Sequence, residues 1–158
     1  MFQLFLKLHR ILTRFDAAIS RQGWALLGLL LRVFVGWQFL HSGLLKLANW
    51  EGTLELFRDE YHVPLLSPDL AAYLGTAGEL ALPIFLFVGL FSRPAALALF
   101  FVNLMAVVSY PALWMFDCPA AITDHLYWGL ILVILTVNGV GRASLDHFLT
   151  QRMVSLRR

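Results

Sequence analysis

The sequence predicts an all-α integral membrane protein, a four-helix bundle with two shorter surface helices. Three observations carry this. Of its 158 residues 59% are hydrophobic and only 14% are charged, whereas soluble domains run about 45–50% apolar and about 25% charged. The apolar residues fall in long blocks, giving a mean hydropathy of +0.73. Basic residues concentrate in alternate connecting segments. The length suits a single domain.

The first 22 residues come before the bundle. Leu4, Leu8, Ile11, Leu12, Phe15 and Ile19 recur at helical spacing, while Lys7, Arg10, Arg14 and Arg21 fall largely off that face. This pattern predicts an amphipathic helix lying on the inner membrane surface. The competing reading is a plain extension of the first spanning helix. No charged region leads into a clean apolar core, so the first span is expected to act as an uncleaved insertion signal.

A crossing helix needs about 20 mostly apolar residues. Four stretches qualify, at about 24–45, 70–91, 94–115 and 125–140. With their connections they make a transmembrane bundle over 23–146, followed by a basic tail over 147–158. The first loop, about 48–69, is longer than a plain connector. Trp50, Phe57 and Tyr61 recur in it at roughly helical spacing, ahead of Pro64 and Pro68. A short outer-surface helix is expected there, starting at Asn49-Trp50-Glu51.

Charge orients the spans. Lys7, Arg10, Arg14 and Arg21 precede the first, Arg93 lies between the second and third, and Arg142, Arg152, Arg157 and Arg158 follow the fourth. The first loop instead carries Glu51, Glu55, Asp59, Glu60 and Asp69 against Arg58, and the last holds Asp117 and Asp124. Basic segments stay inside, so both termini are expected on the cytoplasmic face of the membrane. No basic run with interleaved aromatics points to nucleic acid. The expected partners are the bilayer, other membrane subunits or further copies of the chain.

Ionisable groups inside hydrocarbon are costly, so each demands a reason. Arg32 and Glu79 stand out. Counting from the cytoplasmic ends of their spans, they lie about 12 and 18 Å deep. An Arg32–Glu79 pair is the economical expectation, since either charge alone costs several kcal/mol, roughly. Such a pair has two candidate roles, locking the bundle or lining a polar cavity that holds a ligand or relays protons. His41, Lys46 and Asn103 are further polar residues within the spans. His41, His125 and Cys118 are weak metal-ligand candidates: the residue types suit soft metals, but no two share one helix at a ligand spacing. Gly28, Gly36, Gly43, Gly75 and Gly78 allow close helix approach and place Glu79 at a helix contact. Cys118 is the lone cysteine, so no intramolecular disulfide forms. Nucleotide-binding, nucleophile-elbow and zinc motifs do not occur.

One ordered pattern runs from about residue 30 to residue 146. It comprises Arg32, Gly36, Phe39, Gly43 and Lys46, then Glu79 and Pro83. GLFSRPAAL follows from Gly89, and Gly141 with Ser144-Leu145-Asp146 closes the series. This pattern resembles the DoxX family of small bacterial membrane proteins. The resemblance implies a four-helix membrane bundle linked to respiratory or redox chemistry. It suggests an accessory subunit of a quinone-linked membrane system, with a quinone headgroup near Arg32 and Glu79 as a candidate ligand. By position it marks Arg32, Lys46 and Glu79, with Arg32 and Glu79 as central pair and Lys46 and His41 at the outer mouth. The alternatives are a stand-alone small-molecule or metal-handling protein and a structural scaffold.

Overall fold

The structure, a computed structural model, describes residues 2–115, 120–139, 141 and 143–156; at 8, 12 and 14–22 it describes the backbone alone. Hydrocarbon cannot satisfy backbone N–H and C=O groups, so a spanning chain must bond them within its own helices. The described chain accordingly forms seven helices and no strands: α1 Phe2–Ala48, α2 Trp50–Asp59, α3 Pro68–Val88, α4 Ser92–Ser109, α5 Ala112–Met115, α6 Ala120–Asn138 and α7 Leu145–Leu156. Among the described residues four segments are long and apolar enough to cross a membrane: Gly23–Ala48, Pro68–Val88, Ser92–Ser109 and Ala120–Asn138.

Local chemistry sets the ends. Asn49 caps α2, its side chain accepting from the Gly52 N–H at 3.2 Å. Ser67 caps α3, whose first residue is Pro68, where a missing N–H costs nothing. Gly89, at φ 72°, ends α3 in the left-handed region.

Four boundaries differ from the sequence expectation. The N-terminal segment is helical but continuous with the first span, as the competing reading had it. At 1.5 Å per residue α1 is about 70 Å long, well beyond the hydrocarbon. The third span stops at Ser109 instead of 115, because Pro111 lacks an N–H and forces Tyr110 out of helical geometry, to φ −112° and ψ 89°. Residues Ala112–Met115 make one separate turn. The fourth span opens at Ala120 instead of 125, carrying Asp124 and His125 in its early turns. The tail over 147–158 is largely the helix α7.

The four spans pack as a ring, α1 on α3, α3 on α4, α4 on α6 and α6 back on α1. The core is one cluster: Val35 and Phe39 of α1, Leu86 of α3, Ala95, Ala96 and Leu99 of α4, Leu132 and Leu135 of α6. Packing is closest between α1 and α3. A Cβ on Gly36 would lie 2.6 Å from the Phe87 ring, and one on Gly43 would lie 3.1 Å from the Glu79 Cβ. Phe34, Trp37, Leu70, Leu97 and Leu130 face outward, as expected where the solvent is lipid. A smaller cluster of Phe57, Ala71 and Ala72 seats α2 across the end of α3.

Candidate functional site

Lys46 lies in the last turn of α1 and Glu79 near the middle of α3. The Lys46 ammonium lies 2.5 and 2.6 Å from the two carboxylate oxygens of Glu79 and 3.3 Å from the Ser42 hydroxyl. Both side chains are largely enclosed, at 16% and 8% exposure. The Lys46 carbonyl, at the open end of α1, accepts from the buried Thr53 hydroxyl at 3.0 Å. α2 is thereby tied to the helix turn that holds the ammonium. Pro83, one turn beyond Glu79, has no N–H to offer the Glu79 carbonyl, so α3 lacks a rung beside the site.

The expected Arg32–Glu79 pair does not form. Arg32 is 3% exposed, but its Nη2 donates to the Ala143 carbonyl, while Nε and Nη1 have no partner among the described residues. Register and side-chain direction explain this. α1 and α3 run antiparallel, with Gly36 opposite Phe87, Gly43 opposite Glu79 and Leu80, and Arg32 opposite Gly89. Helical side chains lean toward their own N-terminus. Arg32 therefore leans toward the end of the bundle that carries the termini. Glu79 leans the other way, toward α2, and Lys46 leans back into the bundle to meet it.

The other candidates separate. His41 is exposed on the outer face of α1 and stacks on Trp37 at 6.1 Å between centroids; it does not join Lys46 at a mouth. Asn103 is buried and pins α4 to α6. Its Nδ2 donates to the His125 carbonyl at 2.9 Å, and its Oδ1 accepts from His125 Nδ1 at 2.8 Å. Cys118 lies outside the described residues. Among the described residues no three His, Cys, Asp or Glu side chains gather as a metal-binding group.

A cavity of about 220 Å³ opens beside the ion pair. Among the described residues, Lys46, Glu79 and Tyr61 are the only ionisable groups in a lining otherwise formed by apolar side chains and Gly75. Phe57 and Tyr61 form the wall toward α2. Their rings stack at 4.4 Å, and Tyr61 stacks in turn on Tyr110 at 4.8 Å. Burial, and then the nearby Glu79 carboxylate, pushes the Tyr61 phenol up to about 12, so it stays a hydrogen-bond donor. The phenol of Tyr110 is also raised, by burial and by its hydrogen bond to Glu60. Spacing predicts Phe57 and Tyr61 on one helix face, but α2 ends at Asp59 and Tyr61 lies just beyond it; their joining with Tyr110 is a tertiary event with no local signal.

A second polar knot closes the opposite end. Asp146 accepts from the Phe91 and Ser92 N–H groups, each at 2.9 Å, and from the Ser92 hydroxyl at 2.6 Å. It caps α4, which has no side-chain cap of its own. The Asp146 N–H donates to the Gly89 carbonyl at 2.9 Å. Burial works against the Asp146 carboxylate, but the Ser92 and Phe91 hydrogen bonds outweigh it and hold its pKa below the usual value.

Four spans around a buried ammonium–carboxylate pair define a small multi-pass membrane protein. The sequence profile of the DoxX family matches residues 27–112, more than half of the chain, and the chain belongs to that family. An uncharacterized protein of Haemophilus influenzae (strain ATCC 51907 / DSM 11121 / KW20 / Rd) is 31% identical over 127 residues, covering 75% of this chain and 80% of the relative. No solved structure matches the chain.

Proposed function

We propose that this protein is an accessory subunit of a quinone-linked redox system in the bacterial inner membrane. Its role is to hold a quinone headgroup, without catalysing electron transfer itself. The observation that carries the reading is the apolar cavity with the Lys46–Glu79 pair and Tyr61 as its polar lining. A quinone is an apolar ring with two carbonyl acceptors. Tyr61 and the Glu79-paired Lys46 are the donors at the polar edge, and apart from Glu79 the remaining lining residues suit an apolar ring. An engineered cavity of about 150 Å³ holds benzene, so this volume accommodates a ring with small substituents. The charge bias of the connecting segments supports a reading with both termini in the cytoplasm and the α2 end, with the cavity, on the outer side.

The test is extraction. The full chain, purified from bacterial inner membranes into lipid nanodiscs, is expected to yield quinone by mass spectrometry. Lys46→Met is expected to lower the yield at least tenfold while the bundle stays folded by circular dichroism. Wild-type protein free of quinone, or a Lys46→Met variant with full occupancy, would reject the reading. The accessory role predicts that mild solubilisation co-isolates a subunit with quinone-reducing activity. A chain that always isolates alone counts against that part.

A further inference from the structure

The cavity wall differs around its circumference, and the difference says how a ligand enters. Toward α2 it is closed by Phe57 and Tyr61, backed by Tyr110. Half-buried Val63 of the connecting loop adds to that wall, Leu66, 39% exposed, lies on its rim, and the His62 N–H ties the loop to the Ser109 carbonyl at 2.7 Å. On the flank between α3 and α4 the lining residues Leu74 and Phe101 are each 54% exposed. Leu74 lies six residues inside the α3 span and Phe101 eight residues inside the α4 span, about 9 and 12 Å from their α2-side ends. These depths fall within the hydrocarbon layer. This flank therefore faces acyl chains, not water.

We infer that the cavity is loaded sideways from the bilayer, between α3 and α4, by a lipophile whose carbonyl head fills it while its hydrocarbon tail stays among the lipids beside Leu74 and Phe101. The inference rests on the quinone reading for the nature of the head and adds the route and the tail. Size requires the tail to remain outside: a volume of about 220 Å³ accommodates a substituted ring and no long chain. Chemistry agrees. The exposed flank offers only apolar side chains, and the donors Lys46 and Tyr61 reach the ring once it has passed them. Leu74 and Phe101 then set the rate of exchange, and the Lys46 end sets the affinity.

The test uses the full chain in phosphatidylethanolamine/phosphatidylglycerol nanodiscs, loaded with a deuterated decyl-substituted benzoquinone and chased with vesicles holding the unlabelled compound. Mass spectrometry follows the exchange. Leu74→Trp and Phe101→Trp, both at exposed positions that tolerate bulk, are expected to slow exchange at least fivefold at unchanged final occupancy. Val63→Trp, on the loop side, is expected to leave the rate within twofold. A tail-less dimethoxybenzoquinone is expected to be retained at least tenfold less. If wild-type protein retains neither quinone, the quinone reading itself fails. If it retains the decyl compound but exchange responds to Val63→Trp and to neither mouth variant, lateral loading is overturned while the quinone reading stands.

Discussion

The Lys46 ammonium lies 2.5 Å from one Glu79 oxygen and 2.6 Å from the other, joining the last turn of α1 to the middle of α3. Opening that contact strands a charge in a low-dielectric bundle, at a cost larger than the net value of the pair. The two partners are not equivalent. Lys46 is two residues from the end of α1 and its long stem can swing the ammonium out to the interface. Glu79 has no such exit. Lys46→Met is therefore expected to cost about 3 kcal/mol, and Glu79→Leu less. The Lys46→Met/Glu79→Leu double variant is expected to recover most of the loss. Thermal unfolding in detergent measures all three, and a Lys46→Met protein as stable as wild type would sink the argument.

A double-mutant cycle separates the observed pair from the one expected from depth alone. Among the described residues Arg32 and Glu79 share no partner, so their coupling is expected to stay below about 0.5 kcal/mol. Lys46 and Glu79, in direct contact, are expected to couple by more than about 1 kcal/mol. The reverse ranking would mean that the α1–α3 register is wrong.

Gly89 turns the chain from α3 to α4 at φ 72°, where a side chain is strained. A Cβ there would also lie 2.9 Å from the Ser144 backbone and 2.6 Å from Arg32 Nη1. Gly89→Ala is expected to destabilise by about 1–2 kcal/mol from the backbone conformation alone, and further from the Ser144 contact. Chemical denaturation reads the loss; an unchanged midpoint would contradict the close packing of the 143–146 turn on this glycine.

Asp146 gives the protein a predictable acid response. Its folded pKa is depressed below 3.8 by the Ser92 and Phe91 hydrogen bonds. A depressed carboxylate contributes stability that is fully present above its unfolded pKa and is lost as pH falls through the folded value. Asp146→Ala removes the α4 cap and is expected to cost about 0.5–2 kcal/mol at neutral pH. The wild-type advantage is expected to hold above about pH 4 and to fade below it. A gap between the two proteins that persists unchanged to pH 2 would rule out the carboxylate as its source.

Much of the fold was legible because each span declares itself. The long apolar runs marked out four spans, but hydropathy carried the second and third on to 91 and 115, past the end signals at Gly89 and Pro111. Errors fell where hydropathy and helix geometry part company. Asp124 and His125 sit inside α6 although they read as its outer edge. The site was legible only as an inventory. Arg32, Lys46, Glu79 and Asn103 were visible as polar groups in an apolar chain, but their partners were not.

The chain by itself determined that it must span a membrane four times as helices, since only helices satisfy such apolar stretches in lipid, and that a helix follows the first span. It also determined that its few buried charges need company. Which company was a tertiary decision. Lys46 meets Glu79 because antiparallel packing through Gly43 sets the register and because helical side chains lean toward their own N-termini. Arg32 turns instead to Ala143, and Asp146 reaches back 54 residues to cap Ser92. No periodicity within one helix encodes these choices, since each depends on where a second element happens to lie.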